Sequence, residues 1–339
     1  MNSFFPASYS TLLSSALADL VSRKYGWAAV QCEFLVRGVG DTYLVESGGD
    51  RYILRVYRSS HRNRVQIGAE VDLLLALQRA AVPVSFPIPD QSGEYIHPVA
   101  AVEGQRYAVL FSYAEGRSAS ILNEAQLGDL GLHMARFHQI SAGLELSDVR
   151  WHFDLQTTLF GPMTRLKPYF SEDPAGYAWL EQAVEQVVRK LAQLDMSAFS
   201  TGYCHFDFLP KNFHFDGDSV TFFDFDFMGR GWLVNDIMTF WQHMTIDVHF
   251  GRMTSDAFNQ AYAHFLAAYR ACRPVSDQEL EAIPYLTLGF WLFYSDFHTT
   301  HDEFYAYVQP GHLRIRIRFI QQLMKKYWPD PFPAPALPG

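Results

Sequence analysis

Cysteine is scarce: Cys32, Cys204 and Cys272 are the only three in 339 residues, and none belongs to a CxxC pair. An odd, widely spaced set excludes a disulfide framework and a zinc ribbon, and points to a reducing compartment. No run approaches the roughly 18 uncharged apolar residues that a membrane span requires. The opening stretch MNSFFPASYSTLLSSALADL has no positively charged leader, so a soluble, cytoplasmic protein is expected. Basic residues are also in deficit. There are 27 Lys and Arg against 36 Asp and Glu, a formal charge of −9. That balance argues against nucleic acid or an anionic membrane surface as a partner. No internal repeat is present, and oligomeric state leaves no mark on the sequence.

Hydrophobic residues make up 49% of the chain and charged residues 19%, the composition of a globular protein with a sizeable core. At about 150 residues per domain the length suits two domains. Residues 8–24 have helical periodicity. From about 31 to 58 the pattern is β-like, with Gly48-Gly49-Asp50 as a hairpin turn between DTYLVES and RYILRVYR. A helix is predicted over 64–80, then strands near 94–101 and 105–113. Strands around one long helix, without regular βαβ alternation, make an α+β N-terminal part. After Glu115-Gly116 the sequence turns helical over 124–140, 174–194, 232–247, 254–272, 277–298 and 311–326, interrupted by a β excursion at 212–227. The expected organisation is an N-terminal part over 1–111, a hinge at 112–116, a helical part over 117–326 and a proline-rich tail over 327–339.

The informative stretch runs from Cys204-His205-Phe206-Asp207 through Lys211-Asn212 into a short hairpin. FHF and VTFF flank Asp216-Gly217-Asp218-Ser219, which is turn chemistry. If Phe215 pairs with Val220, Asn212 lies opposite Phe223 and Asp224 sits at the same open end, with paired Cα atoms roughly 5 Å apart. The pattern therefore predicts that Asp207, Asn212 and Asp224 meet. Two carboxylates and an amide suit Mg²⁺, which takes its remaining ligands from water and phosphate. A carboxylate left over can accept a proton from an attacking hydroxyl. The combination is that of phosphoryl transfer from a nucleotide.

This H-x-D-x-x-x-x-N segment, with its hairpin and Phe223-Asp224-Phe225-Asp226, resembles the catalytic region of aminoglycoside phosphotransferase and choline kinase-like enzymes, within the protein kinase-like superfamily. The spacing is most similar to the branch with type II homoserine kinases and a bacterial stress-response Ser/Thr kinase. Segments 52–58, 66–70 and 82–84 support that branch, and the resemblance spans about residues 30 to 245. It implies a two-lobed kinase-like fold, α+β, with a small antiparallel-sheet lobe and a mainly helical lobe. It implies ATP and Mg²⁺ as cofactors and transfer of the γ-phosphate to a hydroxyl of a small, amine-bearing molecule.

On that resemblance Asp207 is the catalytic base, Asn212 and Asp224 hold Mg²⁺, and Asp226 assists a second metal. His205 and Asp236 support the catalytic loop, and Lys211 lies where it could neutralise transferring charge. Arg55 stands where relatives place a phosphate-binding lysine, with Glu70 as its partner. Gly38 and Gly40, in Arg37-Gly38-Val39-Gly40-Asp41, are all that stands in for a glycine-rich loop. Phe111, Ser112 and Tyr113 are expected at the hinge, where backbone groups meet adenine. Trp291, Tyr294 and Asp296 fall where the family builds its acceptor pocket, and aromatic faces with a carboxylate suit an ammonium.

Other signals carry less. His298-Thr-Thr-His301-Asp302-Glu303 reads as a polar helix end and not as a metal site. His133 and His138 read as part core and part surface. The phenylalanines from Phe206 to Phe227 read as core around the hairpin. Three further readings stay open: a protein Ser/Thr kinase on the same fold, a catalytically silent nucleotide-binding module, and a metal-dependent hydrolase.

Overall fold

The computed structural model describes residues 6–147 and 149–328. Two compact units divide the chain. The first takes residues 1–118, 145–150 and 213–224, and the second takes 119–144, 151–212 and 225–339. Two later segments therefore return to the N-terminal unit. The tail expected from residue 327 lies outside the described residues beyond Trp328.

The first unit begins with helix α1 (Ser14–Tyr25). It starts six residues later than its periodicity suggests, because the polar residues before it are used elsewhere. The Tyr9 hydroxyl bonds Asp41, and Ser10 Oγ donates to Glu103 at 2.6 Å. Strands β1 (Gln31–Arg37), β2 (Asp41–Ser47), β3 (Asp50–Tyr57), β4 (His97–Ala101) and β5 (Gly104–Ser112) form an antiparallel sheet in the order β1-β2-β3-β5-β4. Gly48 and Gly49 make the β2–β3 turn with φ of 64° and 93°, a conformation that costs glycine little. One face of the central strands buries Tyr43, Val45, Leu54, Val56, Ala108 and Leu110 against Leu17, Val21 and Tyr25 of α1.

Helix α2 (Arg64–Arg79) opens on a capping box. Asn63 Oδ1 accepts the Gln66 amide at 3.0 Å, and Gln66 Oε1 accepts the Asn63 amide at 3.1 Å. The hairpin that follows Asn212, β8 (Phe213–Asp216) and β9 (Ser219–Phe222), completes this unit. Its register pairs Phe215 with Val220 and Phe213 with Phe222, as the turn chemistry predicts. Arg117 and Phe215 exchange backbone hydrogen bonds at 3.1 and 2.9 Å, and Phe222 does the same with Pro83 and Ser85. A Cβ on Gly116 would stand 2.0 Å from the Phe215 carbonyl oxygen, at φ +85°, so only glycine fits that contact.

The second unit is helical: α3 (Glu124–Ser141), α4 (Gly161–Leu166), α5 (Pro174–Leu191), α6 (Val234–His249), α7 (Ser255–Cys272), α8 (Asp277–Phe297) and α9 (Pro310–Tyr327). Inside it runs a small sheet in the order β6-β10-β7, from β6 (Trp151–Phe153), β7 (Thr201–Cys204) and β10 (Gly229–Trp232). β10 pairs parallel to β6 and antiparallel to β7. A Cβ on Gly229 would stand 2.5 Å from the Trp151 carbonyl oxygen, so glycine lets these strands close. Periodicity does not announce this sheet, yet β7 delivers the chain to His205 and β10 leads into α6.

Candidate active site

The loop after β7 is fixed from below. Asp236, fully buried in the first turn of α6, accepts the amide of His205 at 2.8 Å and of Phe206 at 2.7 Å. His138 of α3 adds its Nε2 to Asp236 Oδ2 at 3.0 Å, with Nδ1 at 2.8 Å from the Tyr269 hydroxyl. Burial depresses the His138 pKa, against the pull of Asp236. Phe206 has φ of 62°, a left-handed conformation costly for a bulky side chain. Its amide bond to Asp236 and its ring, stacked 3.7 Å from Phe153, hold it there.

Asp207 follows, 3% exposed. Its amide donates to His205 Nδ1 at 3.3 Å. Asn212 Nδ2 donates to both the carbonyl oxygen and Oδ2 of Asp207, each at 2.8 Å. Lys211 Nζ lies 2.8 Å from the same Oδ2. Asp207 Oδ1 is buried and has no hydrogen-bond partner among the described residues. One oxygen is thus fixed from two sides while the other keeps its lone pairs. With Nδ2 committed to Asp207, the oxygen of the Asn212 amide is the end left for another ligand.

The first unit positions a second set. Arg55 on β3 ion-pairs with Asp224, two residues past β9. Asp224 has φ of 62°, so the carboxylate is presented on strained backbone. Glu70, 1% exposed on α2, has Arg150 Nη1 3.8 Å from its Oε2. The sequence pairs Glu70 with Arg55; Arg150 enters because the segment 145–150 folds back onto this unit, which no local pattern signals. Asp226 is buried in a 3₁₀ turn over Phe225–Phe227, and Phe227 packs on α8. Among the described residues no group of three or more His, Cys, Asp or Glu gathers to hold a metal, and the expected donor set includes the Asn212 amide.

Gly38 and Gly40 form the tight β1–β2 turn, where the Gly38 amide donates to the Gly40 carbonyl at 2.9 Å. A Cβ on Gly40 would come within 2.8 Å of the Val56 carbonyl oxygen, so close packing on β3 already requires that glycine. At the expected hinge, the Ser112 amide donates to the Phe86 carbonyl at 2.9 Å, and its carbonyl accepts from Ser85 Oγ at 2.5 Å. Phe111 is buried in β5. Tyr113, just past the strand, packs under the Arg51 guanidinium, 4.2 Å from ring centre. The backbone of Ser112 is thus committed inside the unit, which leaves Tyr113 as the expected hinge contact.

The expected acceptor-pocket residues share α8. Tyr294 stacks on Phe227 at 5.1 Å, and Trp291 meets Phe319 edge-on at 5.5 Å. Asp296 is held differently from expectation. Arg165 of α4 grips it in a fork, Nε at 2.9 Å and 3.0 Å and Nη2 at 2.6 Å. A carboxylate satisfied this way has little left for an ammonium. Sequence reasoning missed Arg165, His138, Arg150 and, beside His298, Arg316. Arg316 Nη1 donates to Ser295 Oγ at 2.7 Å, and Nη2 lies 3.4 Å from His298 Nδ1. Burial pulls the Arg316 pKa down to about 10. Burial, with the charges of Arg316, His312 and Lys211, pulls His298 down to about 3.

Residues 32–275 match the phosphotransferase enzyme family (APH). An uncharacterized protein of Deinococcus radiodurans is 33% identical over 83% of this chain and 80% of its own length. The amicoumacin kinase of Bacillus subtilis is 25% identical over 84% of this chain and 85% of its own. Among solved structures, amicoumacin kinase hAmiN in complex with AMP-PNP, Ca²⁺ and Ami superposes with a TM-score of 0.74, covering 92% of this chain and 93% of that one. Its 20% identity speaks to the fold alone: α+β, with an antiparallel N-terminal sheet and a helical C-terminal part.

Proposed function

Because this chain belongs to the phosphotransferase enzyme family, we propose that it moves the γ-phosphate of ATP, with Mg²⁺, to a hydroxyl of a small molecule. The observation that carries the reading is Asp207: one oxygen pinned by Asn212 and Lys211, the other buried with no partner among the described residues. A general base must hold an oriented lone pair towards the proton that it accepts. Asp207 Oδ1 takes the acceptor's hydroxyl proton as that oxygen forms its bond to the γ-phosphorus. The bond from γ-phosphorus to the bridging oxygen breaks, and ADP leaves with the electron pair. Asp236 keeps the loop in place during the step, and Lys211 offsets charge beside the base.

Asn212 and Asp224 are the oxygen donors that suit Mg²⁺, with Asp226 as a further carboxylate. The hairpin register supports this, because Phe213 faces Phe222 and both donors lie within two residues of that pair. When bound, the ion neutralises phosphate charge. Arg55 is suited to grip phosphate oxygens in a bidentate manner, and its present partner Asp224 shows that it reaches the acidic end of the hairpin. Glu70 and Arg150 brace α2 behind it. The Tyr113 backbone is assigned to the adenine edge. The nucleotide analogue and divalent ion in the hAmiN complex support ATP and a metal ion as partners. The amine expected on the acceptor is not carried forward, since Arg165 already occupies Asp296.

A coupled ADP-release screen over amino alcohols, aminoglycosides, sugars and hydroxy acids tests the reading. Asp207→Ala should lower turnover on any active acceptor by about 10²–10⁴-fold, while ATP still raises the melting temperature. Full turnover by that variant refutes the role of Asp207. Phosphate appearing on protein would favour the Ser/Thr kinase reading. ATP stabilisation with no ADP from any acceptor would favour a silent binding module.

A further inference from the structure

Several arginines among the described residues are matched to carboxylates. Arg106 meets Asp41 at 3.1 Å and Glu103 at 3.6 Å, Arg150 meets Glu70, and Arg165 meets Asp296. Arg316 is not matched in this way. Its polar contacts among the described residues are the Ser295 hydroxyl at 2.7 Å and His298 Nδ1 at 3.4 Å. To accept from a guanidinium, Nδ1 must keep its lone pair, so His298 is neutral here and supplies no counter-charge. Desolvating a guanidinium without an anion costs free energy, and the depressed Arg316 pKa is the sign of that cost. In a chain with net charge −9, carboxylates are abundant, yet none of those described is spent on this arginine.

Its place in the fold gives that cation a use. Ser295 and His298 continue the ridge of α8 that begins with Trp291 and Tyr294, and Tyr294 stacks on Phe227 in the segment after the hairpin. Phe206, immediately before Asp207, packs on Phe290 and Phe293 of the same helix with ring centres 6.0 and 5.2 Å away. The loop that carries the base and the guanidinium without a carboxylate therefore both adjoin α8 in the second unit. We propose that Arg316 and Ser295 bind an acidic group, carboxylate or phosphate, on the same acceptor whose hydroxyl Asp207 deprotonates, so that the substrate class is a small hydroxy acid or phosphorylated alcohol. This inference rests on the phosphotransfer reading above for the role of Asp207. The binding of the acid itself does not depend on turnover.

Matched compounds test it. L-Homoserine and 4-hydroxybutanoate carry a carboxylate and glycerol 3-phosphate a phosphate; 3-aminopropan-1-ol and 1,3-propanediol carry neither. Thermal shift and ADP release are measured for wild type, Arg316→Gln and Arg316→Lys. At least one acidic compound should stabilise the wild type and outperform its uncharged or cationic counterparts. Arg316→Gln should raise KM for that acid about 10- to 100-fold with little change in kcat, and Arg316→Lys should restore part of it. Whether the carboxylate or the phosphate arm responds identifies the acidic group. A KM shift equal for acidic and non-acidic acceptors would make Arg316 merely structural and overturn the inference. So would the absence of stabilisation and turnover by every acid. If acids stabilise the wild type and not Arg316→Gln, yet no compound releases ADP, acid binding stands and the phosphotransfer reading fails.

Discussion

Asp236→Ala removes the acceptor on which the loop leading to Asp207 hangs. Two backbone amides, His205 at 2.8 Å and Phe206 at 2.7 Å, lose a charged partner inside the second unit. His138 Nε2, 3.0 Å away, loses its own as well. Each buried amide left unsatisfied costs about 1–3 kcal/mol. Breaking a buried charged network by removing one member typically costs about 3–5 kcal/mol, and that is the range expected here. Asp236→Asn keeps one carbonyl oxygen but turns an NH₂ towards the other amide, so it should lie between the alanine variant and wild type. The assay is urea unfolding followed by circular dichroism, with the slope checked so that the midpoint shift reads as stability. Turnover should fall further than unfolding alone explains, because Phe206 loses a restraint on its left-handed backbone immediately before Asp207. An Asp236→Ala protein within about 1 kcal/mol of wild type would refute the reasoning.

Two further outcomes follow from charges described above. Arg55→Lys should retain phosphate attraction while losing the planar fork; KM for ATP should rise about 10-fold in steady-state assays, and an unchanged KM would remove Arg55 from the nucleotide site. His298 titrates with a pKa depressed to about 3 by burial and by the cations Arg316, His312 and Lys211. The unfolded chain therefore binds this proton and the folded one does not between pH about 6.5 and about 3. Stability should fall as pH drops through that window, by up to about 1.4 kcal/mol per pH unit from this group. Replacing His298 by Gln should flatten the urea-midpoint profile there, and an unchanged slope would show that His298 is charged in the folded state.

The hairpin was legible because everything that specifies it lies within a dozen residues. Alternating phenylalanines set the faces, Asp216-Gly217 sets the turn, and the register then follows with no knowledge of the rest of the chain. The long helices and the antiparallel sheet were legible for the same reason, since periodicity accumulates along them. The β6-β10-β7 sheet was not. Its strands span three or four residues, too few for a period to emerge, and two of the four in β10 are glycine, chosen for closeness to β6. The side-chain partners were hidden more deeply. His138 meets Asp236 across 98 residues and Arg165 meets Asp296 across 131. An ion pair of that span leaves no pattern in a single sequence, because either partner alone reads as an ordinary polar residue on a helix.

Among the described residues, Phe206 and Asp224 are two of the four non-glycine residues with positive φ, the others being Ala29 and Ala81. Left-handed backbone at such residues persists only where neighbours over-determine it. At Phe206 the restraints come from within the second unit: an amide bond to a buried carboxylate and a ring stacked on Phe153. At Asp224 they come from the first unit, where β9 is anchored to the 83–85 segment and Arg55 holds the carboxylate. The two restraints differ in kind. The first is buried and cannot be exchanged without unfolding. The second is an ion pair whose carboxylate is 41% exposed, so phosphate oxygens can compete for Arg55 while β9 keeps Asp224 in place. On the proposed reading, in which Asp207 is the base and Asp224 a metal ligand, that division would keep the base fixed while leaving Asp224 able to change partners.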